Sequence, residues 1–131
     1  MKLMSLFVPL CASVVLAGCA GGGYHYSQLI GERYNKAPIN TYPVLIVRVD
    51  GTDTVFKPTQ VDPGLRQVTV QGPPTSTDRF GAERTIALNV EPCTRYYLVA
   101  VKENRLLNDF DVKVDYKEPI GGCTPPVVAS K

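Results

Sequence analysis

The side chains that could do covalent or proton chemistry are few and scattered. The chain has one histidine, His25, and four cysteines, Cys11, Cys19, Cys93 and Cys123. Nucleophilic catalysis needs a base within hydrogen-bond reach of a serine or cysteine. His25 stands far in sequence from every segment with a strand pattern, and no motif marks a Ser–Lys pair. Asp109, Asp111 and Asp115 recur along one segment, and a pair of carboxylates is what acid–base hydrolysis of a sugar requires. Lys113 stands among them, and apolar residues alternate with them, so they read as the solvated face of a strand. No metal-ligand spacing occurs, and no glycine-rich loop joins a strand to a helix. The expectation is therefore no catalytic residue, no metal and no cofactor: a protein that is not an enzyme.

The elements that would position these groups are strands. Val44–Val49 is β-branched and nearly continuously apolar, the pattern of a central strand covered on both faces. Asp50-Gly51-Thr52-Asp53 is a turn, and Thr54–Lys57 would return as a short strand stopped by Pro58. Asp62-Pro63-Gly64 is a strong turn signal, because proline presets one central dihedral and glycine accepts the next. Arg66–Gln71 then alternates, with Val68 and Val70 on one face. Gly72–Asp78 is a loop with nothing apolar to hold it, the longest irregular piece of the domain, and the 72–83 stretch is expected to be mobile. Thr85–Val90 places Ile86, Leu88 and Val90 inward. Thr94–Val101 is apolar on both faces. Phe110, Val112, Val114 and Tyr116 alternate with Asp111, Lys113 and Asp115, the clearest one-sided strand in the chain. Six short strands and no convincing helix predict an all-β, single small antiparallel β-sandwich, with a small open barrel as the alternative.

Ahead of these strands lies a different kind of segment. Lys2 is followed by an apolar stretch from Leu3 to Leu16, too short to span a hydrocarbon core of about 30 Å and the length of a signal-peptide core. It ends in Leu16-Ala17-Gly18-Cys19, which closely resembles the lipobox of bacterial lipoproteins. The resemblance implies cleavage before Cys19, diacylglycerol on its sulfur and, commonly, acylation of the new amino group, with palmitate as an expected acyl chain. It divides the chain into a signal peptide (1–18), a lipidated flexible tether (19–42) that includes Gly21-Gly22-Gly23, a sandwich domain (43–123) and a C-terminal tail (124–131). Within 29–34 a short helical turn, or docking on the domain, is open. Ala20, in place of the aspartate that retains enterobacterial relatives at the inner membrane, implies the outer membrane, with the domain facing the periplasm. What remains, about 110 residues, suffices for one core.

Under that reading Cys11 is discarded and Cys19 carries lipid. Cys93 and Cys123 are left as an even pair in an oxidising compartment, which predicts a disulfide. Two free thiols or half of a metal site are the alternatives. Pairing the last two strands about their loop would put Cys93 near Glu118, and Gly121-Gly122 would turn Cys123 back towards it. The formal charge is only +2, its signs are interspersed, and nucleic acid is not an expected partner.

Val47-Arg48-Val49-Asp50-Gly51, followed by Val61-Asp62-Pro63-Gly64-Leu65-Arg66-Gln67-Val68-Thr69-Val70, resembles PEGA-type modules, small β-sandwiches of bacterial envelope proteins related in shape to carboxypeptidase regulatory-like domains. Thr94-Arg95-Tyr96-Tyr97-Leu98 is similar to a strand of small lipoproteins that carry such modules. The resemblance implies an adhesive or structural module without chemistry. The functional expectation is a lipid-anchored envelope lipoprotein whose sandwich binds an envelope protein, with Pro73, Pro74, Arg79, Phe80 and Arg84 in and beside the 72–83 loop as the contact. The alternative is a periplasmic inhibitor of a wall-degrading enzyme such as a lysozyme, which works by inserting a polar loop into a catalytic cleft.

Overall fold

The computed structural model describes residues 25–32, 34 and 38–125. The expected signal segment 1–18, Cys19, Gly21-Gly22-Gly23 and tail residues 126–131 lie outside the described residues. Within them the chain forms nine strands: β1 Ser27–Ile30, β2 Thr41–Pro43, β3 Leu45–Val49, β4 Thr52–Asp53, β5 Thr59–Val61, β6 Gly64–Gln71, β7 Glu83–Val90, β8 Thr94–Val101 and β9 Asp111–Pro119. They build two sheets that face each other as a sandwich, not a barrel.

One sheet runs β4-β3-β6-β7, antiparallel throughout. The other centres on β8. Strand β9 pairs along one of its edges, while β1 and β2 share the other edge end to end, with β5 beyond β1. The alternating side chains of both sheets meet between them. Leu29, Tyr96, Leu98 and Ala100 come from one sheet, and Ile46, Val68, Val70 and Val90 from the other. Leu98, Val68 and Val70 are wholly buried. Each such side chain contributes about 1.5–3 kcal/mol relative to exposure.

Four expectations are corrected. First, β1 and all of β2 but Pro43 lie inside the segment assigned to the tether, so the sandwich begins near Ser27 and has more than six strands. Leu29 is 1% exposed. The segment SQLI alternates in burial as a strand does, but four residues carry too weak a period to stand out before packing. The β1–β8 pair is also parallel, an exception in an otherwise antiparallel fold. Second, Thr54–Lys57 is not a strand: Val55 and Phe56 are 80% and 78% exposed, and the paired residues are its neighbours β4 and β5. Third, β3 is not covered on both faces, since Ile46 is buried and Leu45 is exposed. Fourth, the alternation of β9 breaks at a bulge: Tyr116 lies opposite Tyr97, yet Val114 lies opposite Leu98, leaving Asp115 as the extra residue. Residues opposite each other share a face, so Val112 and Val114 follow the inner side while Tyr116 is carried to the outer one.

The bulge also moves the end of the last hairpin. Glu118 faces Arg95 instead of Cys93, and Cys93 accepts from the Ile120 N–H at 2.8 Å. Gly122 takes the turn with φ +74°, and Cys123 comes back to Cys93 in disulfide geometry, the Cα atoms 5.6 Å apart.

Candidate functional site at the loop pole

The two ends of the sandwich differ. At one end lie the beginning of β1, the β5–β6 turn, the β7–β8 turn and the cysteine pair. The chain is fastened here: Ser27 Oγ donates to the Glu91 carbonyl and accepts from the Thr94 N–H at 3.1 Å. We call this the disulfide pole. The register places the opposite ends of β6, β7, β8 and β9 together, with the loops 72–82 and 102–110 and residues 38–40 that lead into β2. This is the loop pole.

The 72–82 loop is tied by polar contacts. The Gly72 N–H donates to the Ala82 carbonyl at 2.8 Å, closing its neck. Asp78 accepts from the Phe80 and Gly81 N–H groups at 3.1 and 3.2 Å, and Thr75 closes the turn with Asp78 and reaches Asn108 of the neighbouring loop. Gly81 has φ +78°, and a Cβ there would collide with the Gly72 carbonyl, so glycine is required. These bonds hold the backbone while Phe80 stands 76% exposed.

The 102–110 loop is anchored at both ends. Lys102 is buried, and its Nζ donates to the Leu107 carbonyl at 2.9 Å. Phe110, 4% exposed, packs directly against Gly72. Between these anchors Leu106 and Leu107 are 74% and 56% exposed. Asn40, beside the 91%-exposed Ile39, lines a shallow depression with Glu103, Asn104, Arg105 and Leu106. The loop pole thus displays four large apolar side chains, with Arg79 and Arg105 among them.

Of the residues expected at this contact, Pro74, Arg79 and Phe80 are exposed, and Pro73 is half-buried. Arg84 is half-buried and ion-paired. It bonds Asp109, lies 3.6 Å from Asp111, and sits over the Phe110 ring with its Cζ 5.8 Å from the centroid. Its place is to lash β7 to the start of β9. The same contacts account for two of the three repeated aspartates. The third, Asp115, accepts from the Tyr34 N–H at 3.3 Å. Ile39, Leu106 and Leu107 were missed because isolated apolar residues in polar stretches read as loop filler.

Two further features lie elsewhere. A cleft of about 810 Å³ between β4 and β5 is lined by Val55, Phe56 and Lys57 on one side and by Asp50 and Arg66 on another. Asp50 accepts from the Gln67 N–H at 2.9 Å and from Arg66 at 3.0 Å. The Gln67 bond first, and then Arg66, hold its carboxyl below the ordinary carboxylate range. On the outer face of the β8 sheet, Tyr34, Tyr97 and Tyr116 gather beside Arg95 and Glu118. His25 packs on Tyr26, 4.3 Å between ring centroids. Among the described residues no group of three or more His, Cys, Asp or Glu side chains is placed to hold a metal ion.

No family model matches the chain, and neither the curated proteins nor the solved structures contain a match to it.

Proposed function

We propose that this protein is a lipid-anchored envelope lipoprotein whose non-catalytic sandwich holds its loop pole towards a protein partner. The observation that carries this reading is the separation of the two poles. The described chain begins beside the disulfide pole, so a tether from Cys19 would join the domain there. The exposed Phe80, Leu106 and Leu107 lie at the far end, roughly 26 Å away along an eight-residue strand. A lipid on Cys19, carried by the lipobox resemblance, would anchor the domain at the outer membrane and leave the loop pole facing into the periplasm. More than one acyl chain makes such an anchor stable. Apolar side chains on polar-pinned loops are the usual form of a recognition surface, because the backbone is ordered before the partner arrives.

The test is photo-crosslinking in cells, with the reactive group placed at Phe80, at Leu106, or at Leu65, an exposed residue on β6 near the disulfide pole. Discrete protein adducts from Phe80 and Leu106, and none from Leu65, support the reading. Equal or absent adducts at all three sites refute it. Radiolabelled palmitate incorporation, lost in Cys19→Ser, tests the anchor separately. An adduct with a wall-degrading enzyme, together with inhibition of lysozyme by the purified protein, would instead select the inhibitor reading.

A further inference from the structure

The outer face of the β8 sheet carries a second surface that the loop pole does not use. Tyr97 rises from β8 and Tyr116 from β9, brought to one side by the bulge at Asp115. Tyr34 lies over them. Its ring stacks on Tyr116 with centroids 4.0 Å apart and planes 14° apart, and meets Tyr97 at 5.0 Å and 61°. Its backbone N–H is held by Asp115. Both partner rings come from the sheet, and Tyr34 itself is 46% exposed. Two ring contacts and one backbone hydrogen bond hold this exposed aromatic in place.

Polar groups border the stack, already set in place by one another. Arg95 donates to Gln28 Oε1 and to Glu118 Oε1, both at 2.9 Å, and the Tyr97 hydroxyl donates to the same Glu118 oxygen at 3.0 Å. Both bonds to Glu118 use the same oxygen, Oε1. The Arg95–Glu118 pair cancels in charge. On its other side Tyr116 also lines a groove of about 450 Å³ between β7 and β9, together with Asn89, Glu91, Asp115 and Lys117.

We infer that this tyrosine face is a binding platform for a polysaccharide strand, and that its ligand is the N-acetylated glycan of the cell wall. A pyranose ring has a flat face of C–H groups and a rim of hydroxyls and amides. A fixed aromatic face matches the first, and a rim of carboxylate, guanidinium, phenol and amide matches the second. Arg95 and Lys117 stand against Glu91, Asp115 and Glu118, so the patch has no excess of positive charge to select nucleic acid or an acidic peptide, and a lipid tail gains nothing from the polar rim. The order already present in the stack and the ion pair lowers the entropy cost of binding. The choice of wall glycan as the source rests on the envelope reading above; the chemistry of the platform does not.

The chain has no tryptophan, and three of its seven tyrosines, Tyr34, Tyr97 and Tyr116, form the platform, so tyrosine emission of the full-length protein in detergent is a usable signal for binding there. The protein is titrated with chitotetraose and, in parallel, with cellotetraose, and is co-sedimented with purified wall sacculi. The expected results are a saturable change with chitotetraose and retention on sacculi. Tyr34→Ala weakens both by about tenfold or more, whereas Tyr34→Trp stays within about threefold of the parent. Phe80→Ala, at the loop pole, leaves both unchanged. Thermal midpoints of the Tyr34 variants equal to the parent's assign the loss to the platform and not to unfolding. No saturable change with either tetramer and no retention on sacculi overturns the proposal, as does Tyr34→Ala binding like the parent. A response to cellotetraose alone overturns the wall assignment. Failure of palmitate labelling or of the Phe80 adducts would remove the function proposed above and leave these titrations standing, so the two can fail independently.

Discussion

The contact between Gly72 and Phe110 joins the two loops of the loop pole, and it makes a quantitative prediction. Gly72 is buried, and its backbone lies outside the left-handed region, so alanine there incurs no backbone strain. An added Cβ would instead fall 2.6, 2.9 and 3.0 Å from three ring carbons of Phe110. Such distances require the ring to move, and Phe110 is 4% exposed with a core around it. Overpacking of this kind costs about 1–3 kcal/mol, so Gly72→Ala is expected to destabilise by that amount. Phe110→Ala removes most of a buried ring and costs about 3–5 kcal/mol. In the double variant the alanine methyl enters space the ring has left, and its penalty vanishes. The double variant should therefore lose no more than Phe110→Ala alone, an interaction of about 1–3 kcal/mol in a double-mutant cycle. Urea unfolding followed by tyrosine emission measures all four proteins, with stabilities taken from linear extrapolation. Losses that add to within about 0.5 kcal/mol would refute the argument, because they would mean the two sites do not share that space. The same substitution alters the neck of the 72–82 loop, so Gly72→Ala should also reduce adducts formed from Phe80.

Three other outcomes follow from particular contacts. Cys93 and Cys123 are 30 residues apart, and bridging them removes unfolded-state freedom worth roughly 3–4 kcal/mol; the Cys93→Ala/Cys123→Ala protein should lose about that much stability and unfold at lower urea, and an unchanged midpoint would count against a bond. Tyr34 is held neutral to higher pH than a free phenol, first by the field of Tyr116, and Tyr97 likewise, first by burial. A raised folded-state value stabilises the fold below the free phenol range, about pH 10, and that contribution is lost as pH rises through the folded values. Phenolate absorbance of the folded protein should thus show late-ionising tyrosines that Tyr34→Ala reduces; a single ionisation at the free value would exclude the stack. Asp50 is lowered, so its contribution is present above the free carboxylate value, about pH 4, and lost as pH falls through the lower folded one. The gap in urea midpoint between the parent and Asp50→Asn should narrow on acidification, and a gap independent of pH would show that the carboxylate plays no such part.

The strands from β6 onward were legible because their periods are long and clean. Gln67-Val68-Thr69-Val70 and Ile86-Ala87-Leu88-Asn89-Val90 alternate over enough residues for one face to be identified, and those faces are the ones buried. The turn at Asp62-Pro63-Gly64 was legible for local reasons: Gly64 sits at φ +115°. The beginning of the sandwich was not legible. Four residues of β1 and three of β2 become strands by pairing with β8, a partner more than 55 residues away in the chain. In the candidate site, Phe80 was identifiable as a loop aromatic, but the ion pairs of Arg84 were not, because only the fold brings Asp109 of the 102–110 loop and Asp111 of β9 to it.

Local pattern alone determined the class of fold and the inward faces of β6 and β7. These depend on periodicity and turn chemistry, which are properties of neighbours in the chain. Tertiary structure alone decided where each surface points. Tyr116 shows the reason most clearly. Its sequence spacing from Val112 and Val114 assigns it to the core, and a single extra residue in the β8–β9 register turns it outward to meet Tyr97 and Tyr34. A period of two has no memory of a bulge, and pairing with another strand is what creates one.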